Sequence, residues 1–394
     1  MVVYALSGVG FTGSNLILAR VLSTEQYAIF TLVIALGNLG YALAPAGLDG
    51  VVTRHHLDAS PSLLSRTTWA ALLVGAGFAA IGIASYGMSA TLAAMLFVST
   101  AAGGLMVVAA ARFQSEQRFA RALMLNQSPN IVLLLAAGAS VLTRVPGAWL
   151  PVLISMVGFA VAAAYGWAAL LRERAGRASG RVEFAWGEAL AFAGLNASGL
   201  LLIQLERLVL PHVLPLADLA LYGVVAAIAG SVYRVMQMGV GFSLLPRLRA
   251  ATTIIERRRL VSHEARLVGG MAVLGSAAIW LFTPLLERWF LAGKYHLAGP
   301  LLLAVIASGL AKIANAFSKA TAAAMADPRE LSLINASGWI SVGLALAGAW
   351  IGARWGLTGV IYGVAVGWLV RAAVTFVLVL RHLRLPVSIP AVAP

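Results

Sequence analysis

The chain has 394 residues, 61% of them hydrophobic and 11% charged, with a mean hydropathy of +0.90. Soluble domains run nearer about 45–50% apolar and about 25% charged, so a soluble globular protein is excluded and a polytopic membrane protein is expected. The absence of cysteine removes disulfides and thiolate metal sites. The net charge of +14 is read as basic loops on one side of a membrane rather than as a nucleic-acid surface, because no basic patch interleaved with aromatics stands outside the apolar runs.

In chain order, residues 1–22 come first. No Lys or Arg precedes Arg20, so the segment lacks the positive start of a signal peptide and is read as a retained first span. About twenty apolar residues cross a bilayer. That rule predicts twelve spans, at 2–21, 27–52, 67–87, 90–111, 122–143, 149–171, 188–213, 218–246, 265–286, 297–324, 331–353 and 357–380. The longest polar connection, 172–187, separates six spans from six. The expected organisation is an N-terminal six-helix lobe (1–175), a cytoplasmic linker (176–187) and a C-terminal six-helix lobe (188–394).

An internal repeat supports two like halves. At an offset of 192 residues Val213 falls on Val21, Leu214 on Leu22, Ala220 on Ala28, Tyr222 on Phe30 and Gly239 on Gly47. Both segments then run into arginine, Arg54 in the first and Arg247 and Arg249 in the second. Six spans per half gives both halves one orientation, related by an axis along the membrane normal.

Basic residues set the orientation. With both termini cytoplasmic, the cytoplasmic segments hold 19 of the 28 Lys and Arg, Lys319 among them, and the outer segments hold five. Two basic stretches, 111–125 and 251–266, are read as interfacial amphipathic helices resting on anionic headgroups.

Four cations remain, all inside spans: Arg207, Arg234, Lys312 and Arg371. Each costs about 2.5–3.5 kcal/mol at a helix centre on the insertion scale. Intramembrane acids are few, Glu206 beside Arg207 and Asp49 near the end of span 2. A net-positive buried surface suits an anionic ligand. The alternative is structural pairing of Glu206 with one of the cations and snorkelling of Arg207. Ser7, Thr12, Ser14 and Asn15 in span 1, with Asn196, Ser198 and Gln204 in span 7, suit a polar cavity wall or helix–helix hydrogen bonding.

Other motifs carry no chemistry. Gly8-Val9-Gly10-Phe11-Thr12-Gly13 fits G-x-G-x-x-G but lies within a span with no strand before it. No P-loop is present, His55 and His56 diverge on a helix, and no grouping of carboxylates or of Ser, His and Asp suits catalysis. No enzymatic activity, metal or other cofactor is expected.

The order of several motifs resembles the Wzx-like polysaccharide flippases. Leu18-Ala19-Arg20-Val21-Leu22-Ser23-Thr24-Glu25-Gln26-Tyr27 resembles their first loop, L-x-R-x-L-G-P-x-x-Y-G, and Gly47 to Arg54 resembles their span 2 exit. The stretch from Ala111 to Ala122 resembles the link between spans 4 and 5. Glu206-Arg207-Leu208-Val209-Leu210 with Leu221-Tyr222 resembles the start of their second half, and Trp355-Gly356-Leu357-Thr358-Gly359-Val360 their Y-G-L-x-G-A. Ala28 and Gly223 depart from the expected Y-G steps, and the chain begins later than is usual, which leaves the start of span 1 open.

The resemblance implies the multidrug/oligosaccharidyl-lipid/polysaccharide (MOP) exporter superfamily: an all-α polytopic protein of about twelve transmembrane helices, in two pseudo-symmetric six-helix lobes around a central cavity. It implies alternating-access flipping of an oligosaccharide on undecaprenyl pyrophosphate, an O-antigen, lipopolysaccharide or exopolysaccharide repeat unit, across the bacterial cytoplasmic membrane. The pyrophosphate is expected on Arg234, Lys312 and Arg371, with Arg207 and Glu206 nearer the outer side. By position Arg20 and Arg54 resemble gate or cavity arginines. Implied partners are the lipid-linked oligosaccharide, membrane lipids, and a polysaccharide polymerase and glycosyltransferases, with no nucleic acid. The rival readings are a cation-coupled drug or metabolite exporter of the same fold, a membrane enzyme acting on lipid-linked sugar, and a non-transporting scaffold.

Overall fold

A computed structural model describes residues 2–174, 186–251 and 253–384, so most of the expected linker 176–187 lies outside the described residues. The helices are α1 (Val2–Val21), α2 (Thr24–Leu43), α3 (Leu48–His55), α4 (Pro61–Tyr86), α5 (Ala90–Ser115), α6 (Phe119–Thr143) and α7 (Trp149–Arg174), then α8 (Trp186–Val213), α9 (Leu216–Ala250), α10 (Ile254–Trp289), α11 (Gly299–Met325), α12 (Pro328–Gly352) and α13 (Gly356–Arg384). A 3-10 turn at Ala353–Trp355 joins the last two, and no strand occurs among the described residues. Nine helical stretches among those residues are long and apolar enough to cross a membrane, the last combining α12, the turn and α13. The chain is a multi-pass all-α membrane protein.

Local chemistry marks the helix starts. Ser23, Ser60 and Ser89 accept from Gln26 N, Leu63 N and Leu92 N, satisfying N–H groups that the first turn leaves open. Asp327 and Glu330 form a reciprocal capping box at the head of α12.

Two expectations are corrected. The single span 27–52 is broken into α2 and α3. Pro45 cannot donate to a helix and its ring clashes one turn back, while Ala46 (φ 49°) and Gly47 (φ 82°) take left-handed conformations. The stretches 111–125 and 251–266 are not separate interfacial helices. The first divides at a turn between α5 and α6, and residues 254–266 of the second are the basic N-terminal third of α10.

The repeat is visible in helix boundaries. α1 ends at Val21 and α8 at Val213; α2 begins at Thr24 and α9 at Leu216, both 192 residues apart. From α5 the spacing becomes 209 residues, with Ala90 against Gly299 and Phe119 against Pro328. α9 takes the place of α2 and α3 together, since α10 still begins 193 residues after α4 (Ile254 against Pro61); the longer α10 (36 residues against 26 in α4) and the longer connection after it make up the difference. Gly239 lies inside the unbroken α9, so the left-handed break at Gly47 has no counterpart there.

The chain divides into two compact units, Val9–Val224 and a second running from Val225 onward with the first eight residues. In the first unit the core gathers Leu48, Val52, Met106, Phe113, Leu125 and Trp167. α8 packs on this unit. Gly47 lies where a Cβ would come within 1.8 Å of the Ala189 carbonyl oxygen, Gly50 faces Phe192, and the Tyr86 hydroxyl donates to the Leu208 carbonyl at 3.0 Å. In the second unit glycines bring α12 and α13 into backbone contact: a Cβ on Gly348 would meet the Gly363 carbonyl at 2.4 Å, and one on Gly352 that of Gly359 at 2.2 Å. Without side chains between them the helices approach closely, which sets the position of α13 and of the charge it carries.

Candidate substrate-binding site

In the second unit a polar stripe runs along α11. Ser308, Lys312, Asn315 and Lys319 follow one another at steps of four, three and four residues, the spacing of a single helix face. It meets Trp368, Arg371 and Thr375 of α13, spaced by three and four. The Lys312 Nζ lies 5.9 Å from the centre of the Trp368 ring, within cation–π range. Ser318 and Thr375 share a hydrogen bond, and Thr375 also donates to the Arg371 carbonyl at 3.0 Å. Lys319 follows Ser318, whose hydroxyl meets Thr375 one turn beyond Arg371, so the packing of α11 on α13 brings the two cations to the same level. Arg371 is fully buried, 2% exposed, while Lys312 and Lys319 are half-buried.

No Asp or Glu occurs in α11 or α13, so the two helices contribute three cations and no anion to this face. Three buried polar atoms along it, Ser308 Oγ, Asn315 Oδ1 and Trp368 Nε1, have no hydrogen-bond partner among the described residues.

The sequence reading counts Lys319 among the cytoplasmic cations although its span 297–324 covers it. α11 runs on to Met325, so Lys319 lies six residues inside the helix end, about 9 Å. The signal was present: Lys319 follows Lys312 by seven residues, two turns along one face.

Arg207 and Glu206 belong to the first unit, and both are buried. Their side chains diverge as the 100° helical step requires. Arg207 Nη1 donates to Gln204 Oε1 at 3.0 Å, and Glu206 accepts a hydrogen bond from the Tyr222 hydroxyl at the start of α9. Span 1 polar groups turn inward on their own helix: Ser14 Oγ donates to the Gly10 carbonyl at 2.6 Å and Asn15 Nδ2 to that of Phe11 at 2.8 Å. For these two, helix hydrogen bonding accounts for the side chain and a cavity wall does not.

Arg54 ends α3 and pairs with Glu188 at 3.0 Å; His55 Nε2 lies 2.9 Å from the same carboxylate. This joins α3 to the first turn of α8. Arg20, in the last turn of α1, is exposed. The backbone of Arg234 is helical within α9, and its side chain lies outside the described residues.

No protein-family model matches the chain, and no curated protein does so in sequence. Solved structures match it in fold. The lipid II flippase MurJ in an inward closed conformation superposes with a TM-score of 0.66 at 10% identity, over 95% of this chain and 86% of that one. An inward-facing multidrug resistance MATE family transporter of the MOP superfamily gives 0.62 at 14% identity, over 96% and 94%. A mutant of the Vibrio cholerae MATE transporter VcmN gives 0.57 at 15% identity, over 97% and 94%. The chain has the fold of the MOP exporter superfamily.

Proposed function

We propose that the chain is an alternating-access transporter that flips an undecaprenyl-pyrophosphate-linked oligosaccharide across the bacterial cytoplasmic membrane, with both termini in the cytoplasm. The observation that carries this reading is the gathering of Lys312, Lys319, Trp368 and Arg371 where α11 packs on α13, marked by the Lys312–Trp368 contact and the Ser318–Thr375 hydrogen bond. Like charges held together within a membrane are costly, and a pyrophosphate would repay that cost through charge-assisted hydrogen bonds. The half-buried lysines meet the phosphates, and Arg371 supplies field from behind. Trp368 and the amide of Asn315 suit sugar rings and hydroxyls. The fold shared with a lipid II flippase supports a lipid-linked substrate. Only contacts that differ between the inward and outward states can drive the cycle, so the cluster is expected to favour one state when empty.

A second reading, a cation-coupled drug exporter, is favoured by the likeness to MATE transporters and by the buried Glu206. A cationic drug is repelled by the α11–α13 face, which ranks this reading second.

Complementation of a flippase-null strain tests the proposal. Arg371→Ala should abolish polysaccharide export at normal protein level, and Lys319→Arg should keep most of it. Normal export from Arg371→Ala would refute the assignment. Drug resistance conferred without export would favour the second reading.

A further inference from the structure

α10 is 36 residues long, about 54 Å, against a hydrocarbon core of about 30 Å. Its apolar run begins at Leu267, and the thirteen residues before it carry Arg257, Arg258, Arg259 and Arg266. Val261, Glu264 and Val268 turn one face of this segment into the protein, while Arg258, Arg259 and Arg266 are exposed.

One contact fixes the depth of this segment. Arg258 Nε donates to the carbonyl of Leu383 near the end of α13 at 2.8 Å. The last apolar residue of α13 before its charged end is Leu380. Leu383 lies three residues further, about 4.5 Å beyond it along the helix. The headgroup layer is about 5–8 Å thick on each side. Arg258 therefore sits at headgroup depth, beside the exposed Arg381 and Arg384. Of the nearby carboxylates Glu264 pairs with Arg247 at 3.3 Å and Glu330 with His382 at 2.6 Å, while Glu256 sits exposed in the first turn of α10 beside the arginines. Among the described residues none of the six arginines is in an ion pair. Arg258 donates its Nε to the Leu383 carbonyl.

We infer that the N-terminal third of α10 and the end of α13 form one site for the phosphate of anionic phospholipids, separate from the proposed transport site. A soluble anion would not require the arginines to lie level with the headgroups. The phosphodiester of phosphatidylglycerol at that depth meets them without leaving its leaflet.

The test is a titration of the full chain in neutral maltoside micelles with fluorescent phosphatidylglycerol or phosphatidylcholine. Phosphatidylglycerol should bind at least tenfold more tightly, and strong salt should remove the difference. Each arginine near an anionic surface contributes about fivefold. The combined Arg257→Gln, Arg258→Gln, Arg259→Gln variant should therefore lose on the order of a hundredfold, and Arg381→Gln with Arg384→Gln about twentyfold. The second variant keeps the test open should the first fail to fold. Equal binding of the two lipids, unchanged phosphatidylglycerol affinity in a folded variant, or full displacement of the lipid by micromolar inorganic pyrophosphate would each overturn the inference.

Discussion

The hydroxyl oxygens of Ser318 on α11 and Thr375 on α13 lie 2.5 Å apart. Each neighbours a cation of this face: Ser318 precedes Lys319 by one residue, and Thr375 follows Arg371 by one turn. This contact ties α11 to α13 at the level of Lys319 and Arg371.

Thr375→Val keeps the shape of the side chain and removes the tie. The buried Ser318 hydroxyl loses this bond and keeps its longer one to the Asn315 carbonyl at 3.3 Å, a cost of about 1 kcal/mol. Thermal unfolding of the purified variant should show a lower midpoint, and export should fall although no charge has been altered. An unchanged midpoint would mean that the contact contributes nothing to the packing of α11 on α13.

Arg112 should matter most among the arginines around the α5–α6 turn. Its side chain is nearly buried and bonds Asp58 and Glu116, each at 2.8 Å, and the His56 carbonyl at 2.9 Å. It borders a cavity of about 600 Å³ together with Arg118 and Glu173. Removing one partner of a buried pair costs about 3–5 kcal/mol. The exposure of Asp58 reduces this, so Arg112→Ala should cost about 2 kcal/mol. Arg121, paired with the exposed Glu173 and 5.7 Å from the centre of the Phe113 ring, should cost under about 1 kcal/mol as alanine. Chemical or thermal denaturation of the two variants should rank them in that order.

Gly47→Ala should damage the joint between α2 and α3. The φ of 82° disfavours any side chain, and a Cβ would press on the Ala189 carbonyl of α8. A loss of stability above about 2 kcal/mol is expected from strain and collision together. Gly50→Ala should be milder, because it meets only the Phe192 ring. Comparable yields and unfolding temperatures for Gly47→Ala and the parent would contradict the placement of α8 on α3.

Orientation can be read directly, since the chain has no native cysteine. Single cysteines at Ser89 and Leu216 should react with a membrane-impermeant maleimide added outside cells, and one at Arg258 should react only after permeabilisation. Labelling of Arg258 from outside would invert the topology.

The sequence disclosed the spans because apolar length is a property of the bilayer, and the turn pairs at Val21 to Thr24 and Val213 to Leu216 kept their spacing. The break at Gly47 was legible in Pro45-Ala46-Gly47 but was overridden by the apolar run across it. The basic head of α10 is helical because it continues a span whose helix is already nucleated, which a reading by hydropathy alone divides. At the candidate site, Lys312 and Arg371 stood out by cost. Lys319 did not, because near a helix end a lysine reads as a loop cation until packing shows which face it shares. The partner choices of Glu206 and Arg207 depend on Tyr222 and Gln204, and side-chain direction between adjacent helices is not encoded by spacing alone.

The most direct measurement is exchange of a polyprenyl-pyrophosphate-linked oligosaccharide between leaflets of proteoliposomes, read by protection from an impermeant sugar-modifying enzyme. The intact chain should expose the inner-leaflet pool at least tenfold faster than protein-free vesicles. The combined Lys312→Ala, Lys319→Ala, Arg371→Ala variant, inserted to the same level and folded, should fall to the protein-free rate. Exchange by that variant at the rate of the intact chain, or no exchange by the intact chain itself, would contradict the account.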